Sequence, residues 1–241
     1  MTELKNRYHL IDMFRGICII LVVIYHAMFN LTSIFGVDVW MFDSSLMAFL
    51  QVFFVCCLAV ISGISCSFSR SNAKRGIKTL LAGLIVTAVT YFAIPDQFIV
   101  FGILHFFGAA MLIYAALNRL LDKIPVALGV CLSALLFILT FNIYSVQIYT
   151  ENPFLKILIG IIGVDTGIVS ADYYPIFPWI FVFLAGCFLG RLFKEGRVPA
   201  LFKANPVRFL SFIGRHTLLV YLIHQPIVFG GMYLWFEFIA K

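Results

Sequence analysis

The sequence predicts an all-α fold, a polytopic membrane bundle of about seven spanning helices. Three observations predict it. Hydrophobic residues make up 63% of the 241-residue chain and charged residues 12%, with a mean hydropathy of +1.05. A soluble domain is nearer about half apolar and about a quarter charged. The apolar residues fall in long continuous runs without alternation, which argues against barrel strands. Lysine and arginine gather in alternate loops, the pattern that orients membrane helices.

The first run, Ile11–Phe35, follows basic residues, as in a signal peptide. It is too long for one and no small-residue cleavage site follows, so it reads as a retained first helix. Leu46–Phe68, Gly76–Ile94, Phe98–Leu117 and Val126–Tyr144 each hold roughly the 20 apolar residues that a bilayer core demands. Phe154–Val164 is too short to span, and residues 154–164 read as an interfacial or re-entrant helix. Pro175–Phe193 is the sixth span, where Gly186 and Gly190 form a small-x-x-x-small pair suited to close helix packing. Thr217–Ile239 is the seventh, with Gly230 and Gly231 permitting a bend. No internal repeat is visible, and residues 1–241 read as a single transmembrane domain.

The charges set the orientation. Of the 17 Lys and Arg, all but Lys156 and Lys241 fall on one side of this arrangement. The opposite side collects Asp38, Asp43, Asp96, Glu151, Asp165, Asp172 and Glu237. The N-terminus is therefore expected in the cytoplasm and the C-terminus outside. The net charge of +6 is thus a matter of topology and lipid headgroups, and no nucleic-acid partner is expected. Cys18, Cys56, Cys57, Cys66, Cys131 and Cys187 lie in apolar runs with no C-x-x-C pair. They read as reduced packing residues, and no metal site is expected.

Within the first helix, "RGICIILVVIYH" sets Arg15 and His26 eleven steps apart. On an α-helix they are about 20° apart around the axis and about 16 Å along it. Asp12 shares that face. One stripe thus carries a carboxylate and a guanidinium at the cytoplasmic rim and an imidazole deeper in, so it should face the bundle interior or a wet cavity. An interfacial snorkelling Arg15 and a core-bonded His26 are the plainer readings. His105 in the fourth helix and His224, beside Gln225, in the seventh are further mid-membrane polar groups that need partners. Asp172 lies at the outer mouth, either as a loop carboxylate or as a substrate contact. Arg70, Lys74, Arg75 and Lys78 in "SRSNAKRGIK" serve topology and anionic lipid, or hold a phosphate-rich ligand.

These residues carry a family resemblance. "HLIDMFRGICIILVVIYH", "FFVCCLAVISGISCSFSRSNAKRGIK", "FGILHFFGAAMLIY", "DYYPIFPWIFVFLAGCFLG" and "GRHTLLVYLIHQPIV" resemble successive blocks of the heparan-α-glucosaminide N-acetyltransferase catalytic-domain family, in its small bacterial form. The R-x10-H spacing is also similar to that of the wider transmembrane acyltransferase superfamily, whose members modify envelope polysaccharides. The resemblance implies a multi-pass enzyme of the cytoplasmic membrane. It would use acyl-CoA, by resemblance acetyl-CoA, as co-substrate and acylate an acceptor on the far side. It maps the catalytic histidine onto His26 and its arginine partner onto Arg15. In the animal heparan enzymes an asparagine resembles the position of His26. Their catalytic histidine falls later, where this chain reads "FGVD" around Asp38 and has no histidine.

The expected function is therefore acyl transfer to a hydroxyl or amine of an extracytoplasmic glycan, envelope polymer or small molecule. His26 would be the base and His105 a second catalytic residue. Arg15, Arg70, Lys74, Arg75 and Lys78 would bind the CoA phosphates, and Asp12, Asp172 and His224 the acceptor. The extended pantetheine arm is about as long as the Arg15–His26 separation. A proton-coupled small-molecule transporter and a non-catalytic acyl-CoA or lipid-binding membrane protein are the alternatives, although the inverted repeat of many carriers is missing. An apolar surface serves lipid and a second subunit equally, so a monomer and a homodimer both fit.

Overall fold

A computed structural model describes residues 7–141, Asn152 and residues 170–239. Among them it holds eight α-helices and no strand. These are α1 (His9–Phe29), α2 (Ser45–Cys66), α3 (Asn72–Ala93), α4 (Ile103–Leu121), α5 (Val126–Thr140), α6 (Trp179–Lys194), α7 (Arg208–Arg215) and α8 (Thr217–Phe238). Each of the seven predicted runs overlaps one of these helices, and α7 is an addition. Among the described residues five helices are long and apolar enough to cross a membrane: α1 with its extension to Ile34, α2, α3, α4 and α8. The proposed helix at 154–164 lies outside the described residues. Large apolar side chains such as Phe49, Phe53, Leu81, Leu84, Ile85 and Val89 are exposed along these helices. Water would not tolerate so much apolar surface, whereas lipid does. This is a multi-pass membrane protein.

The chain divides into two compact units, Met1–Leu58 with Val198–Lys241, and Ala59–Arg197. In the first, α1 passes into a π-helical turn, Asn30–Ile34, closed by a bond from the Phe35 amide to the Asn30 carbonyl at 3.0 Å. Gly36 then takes a left-handed φ of 68°, and the Val37 amide returns to Leu31 O at 2.9 Å. This glycine closure satisfies carbonyls left open at the helix end.

Helix α7 lies between the last two predicted spans, a stretch for which no helix is predicted. Its apolar stretch is too short to register as a span, but its residues sort by face. Ser211 and Gly214, three apart, are buried; Arg208, Phe209, Phe212 and Arg215 are exposed. The small face meets α1 closely. A Cβ added to Gly16 would run into the Leu210 carbonyl, and one added to Gly214 into the Asp12 carbonyl. Only glycine permits this approach of two backbones.

In the second unit the last two turns of α2 pack on α6 in the same way. A Cβ on Gly63 would strike the Phe183 carbonyl, and one on Gly186 the Val60 carbonyl. Close packing is what the Gly186–Gly190 pair was expected to provide. Helix α3 begins earlier than predicted, because Ser71 caps it by accepting from the Lys74 amide at 3.2 Å. Lys74, Arg75 and Lys78 therefore belong to the first turns of a helix. Helix α4 begins later, at Ile103. Residues 98–102 pair instead with the loop before α6, through Ala171 N to Phe98 O at 3.2 Å and Tyr174 N to Phe101 O at 2.9 Å. Helix α6 starts only at Trp179, after Pro175 and Pro178. All six cysteines are free thiols, with Cys18, Cys66 and Cys187 buried.

Candidate functional site

The predicted stripe on α1 lies wholly in the first unit. At its N-terminal end Asp12 is 5% exposed and accepts from Arg7 Nε at 2.6 Å and Arg15 Nη1 at 3.2 Å. A buried carboxylate is tolerable only when paired in this way. Arg15 Nη1 also reaches the Gly214 carbonyl at 3.4 Å, and the Thr217 hydroxyl donates to the same oxygen at 2.7 Å. Asp12, predicted to touch substrate, thus holds Arg15 against the junction of α7 and α8. Ser211 adds a tie from α7 to α1, its hydroxyl 3.2 Å from His9 O.

Three turns on, His26 stands in the last α-helical turn before the π segment. A π turn shifts the register of the face that follows it, and such turns often mark functional positions. The His26 ring lies 5.0 Å, centroid to centroid, from that of His224 on α8. Its Nδ1 is 3.3 Å from the Gln225 carboxamide nitrogen, and Asn30 Nδ2 donates to Gln225 Oε1 at 3.0 Å. Asn30 is 1% exposed. As placed, the Gln225 N–H faces His26 Nδ1, which puts the neutral ring's proton on Nε2. Turning both carboxamides end for end reverses the chain: Nδ1–H then donates to Gln225 Oε1, and Nε2 carries a lone pair. A carboxamide's oxygen and NH2 occupy nearly the same space, so the relay serves either tautomer.

His224 has no such freedom. Its Nδ1 bonds to the Tyr221 carbonyl, which can only accept, so Nδ1 carries the proton. Among the described residues its Nε2 is buried without a hydrogen-bond partner. Pro226, two residues on, lies inside α8 and has no N–H to offer the Leu222 carbonyl.

The other predicted site residues fall in the second unit. His105 is in the first turn of α4, nearer the helix start than expected, and its Nε2 lies 3.2 Å from the Thr87 hydroxyl of α3. Its ring fits against Gly83. Asp172 Oδ2 accepts from the Ile103 amide at 3.1 Å and so caps α4, placing negative charge at a helix N-terminus. Arg75 donates to the Ser65 carbonyl at 3.1 Å near the end of α2. Arg70, Lys74 and Lys78 are exposed.

Asn30 and Thr87 escaped the sequence reading. Asn30 left a usable signal, since it lies four residues after His26 and so on the same helical face. Thr87 left none, because a helical Thr equally bonds its own preceding turn, as Thr90 does to Val86 O at 2.9 Å.

The family model described as heparan-alpha-glucosaminide N-acetyltransferase, catalytic, matches residues 7–226. No match was found among curated proteins or among solved structures.

Proposed function

The chain belongs to the heparan-α-glucosaminide N-acetyltransferase catalytic family, and we propose from that premise that it moves an acyl group from cytoplasmic acyl-CoA to an acceptor across the membrane. Acetyl is the acyl group that the family favours. The acceptor is a hydroxyl or amine on an extracytoplasmic glycan, envelope polymer or small molecule. Residues 1–241 act as one domain in the cytoplasmic membrane, the N-terminus inside and the C-terminus outside.

The contact of His26 with His224 and Gln225 carries the reading, because it is a partnered imidazole on the helix that also bears Arg15. With Nδ1–H donating to Gln225, His26 Nε2 carries the lone pair of a general base. The acceptor's X–H attacks the thioester carbonyl. An acyl C–X bond forms, the acyl C–S bond breaks, and the proton leaving X passes to His26 and then to the departing CoA thiolate. In the first unit Arg15, and in the second the exposed cations Arg70, Lys74 and Lys78, each have charge suited to a phosphate group. Arg75, tied to a carbonyl, contributes mainly by holding the α2–α3 turn.

The test is release of free CoA thiol by the purified full chain, given acetyl-CoA with glucosamine or a panel of glycans. Thiol release that depends on acceptor and is abolished in His26→Ala is the expected result. Uptake of solute into proteoliposomes with no CoA consumed would overturn it in favour of a carrier. Unchanged turnover in folded His26→Ala would remove His26 from its role.

A further inference from the structure

We infer that His224 is the proton-sharing partner of His26: its buried Nε2 accepts the N–H of the His26 ring once that ring has taken the acceptor's proton. The inference rests on the reading of His26 as base.

The two rings are unlike in one respect. The tautomer of His26 follows the Gln225–Asn30 carboxamides and can reverse with them. The tautomer of His224 is fixed by a backbone carbonyl, so its Nε2 is a lone pair in either arrangement. That lone pair is buried and, among the described residues, has no donor. A buried acceptor without a donor is unfavourable, and the nearest ring able to supply an N–H is that of His26.

The surroundings give a protonated His26 little other help. The groups on the pair are Tyr25 from α1, with Tyr221 and Gln225 from α8. Among the described residues no carboxylate bonds to either imidazole. An imidazolium in this setting lacks a counter-charge. Its stabilisation must come from hydrogen bonds: Nδ1–H to Gln225 Oε1, and Nε2–H to His224 Nε2. Ring centroids 5.0 Å apart are close enough for facing nitrogens of two imidazoles to share a hydrogen bond.

One short segment of α8 thus serves both nitrogens of His26, His224 at one and Gln225 at the other. The proton ledger stays closed. The proton taken from X–H is held between the rings while the C–S bond breaks, and then goes to the CoA thiolate. Both imidazoles return to neutral.

His224 is on this view a positioning residue, and the experiment separates that role from a packing or substrate-binding one. In the purified full chain, with acetyl-CoA and glucosamine as probes, His224→Gln and His224→Phe should lower kcat about 100-fold, with KM for either probe changed less than about twofold. Free imidazole should restore part of the rate of His224→Ala. A retained kcat, or a raised KM with kcat intact, would overturn the inference. Loss in His26→Ala with full activity in the His224 variants would overturn it while leaving the proposed function standing. If the wild-type chain releases no thiol, the proposed function fails, and a measurement without turnover decides the pair. In 15N-histidine spectra of the full chain in micelles, His224 should be protonated on Nδ1, and its Nε2 signal should move in His26→Ala. The opposite tautomer, or an unmoved signal, would rule the partnership out.

Discussion

The imidazoles of His26 and His224 lie with their centroids 5.0 Å apart and their planes tilted by 60°, although they are 198 positions apart in the chain. Asn30 and Gln225 support the contact from the side. Their bond can be tested without knowledge of the substrate. Gln225→Leu leaves Asn30 Nδ2 buried without its acceptor, at a cost of about 1–3 kcal/mol. Adding Asn30→Leu should recover much of that loss, because removing both partners leaves no orphan. Unfolding of the detergent-solubilised protein measures both. Equal stability of wild type and Gln225→Leu would mean that the carboxamides do not pair.

Asp172 caps α4 through the Ile103 amide. Asp172→Ala should therefore destabilise the protein by about 1 kcal/mol, and Asp172→Asn by less, since asparagine also caps. A loss of acceptor affinity in Asp172→Asn with stability unchanged would instead assign the carboxylate to substrate.

Gly214→Ala drives a methyl into the Asp12 carbonyl where α7 meets α1. Overpacking of this kind costs about 1–3 kcal/mol, and the backbone on the other side has little room to yield. Gly230→Ala is the matched control. An added Cβ there meets nothing within 4 Å, so alanine should leave α8 unchanged or more stable by up to about 1 kcal/mol through helix propensity. The unfolding temperature should fall in Gly214→Ala and should not fall in Gly230→Ala.

Lys74 and Lys78 are exposed, whereas Arg75 is bonded to Ser65 O. If the two lysines attract CoA phosphates, Lys74→Ala with Lys78→Ala should weaken acetyl-CoA binding at low salt. The difference from wild type should shrink at high salt, where charge is screened. Arg75→Ala should act chiefly on stability. Binding of acetyl-CoA by the double variant that matches wild type at low salt would leave these lysines to lipid headgroups alone.

Membrane class, helical content and the approximate places of the long helices were legible because lipid imposes one-dimensional demands. A span must be long and apolar, and that requirement is written residue by residue. The R-x10-H stripe was legible for the same reason, since a helix turns spacing into a shared face. Boundaries were less so. Ser71 capping α3, and Asp172 capping α4 from a loop some 70 positions away, decide where those helices start. Helix α7 was missed because its signal is two small residues three apart, which means nothing until Gly16 is found opposite.

The sequence by itself therefore determined the solvent the protein lives in and the residues on each helix face. Tertiary structure alone decided what those residues touch. It set Asp12 to holding Arg15, Asp172 to capping, His105 to a bond with Thr87, and His26 to a pair with His224. The reason is physical: local spacing fixes the direction of a side chain on its own helix, but its partner depends on which helices pack together and how closely their glycines let them approach.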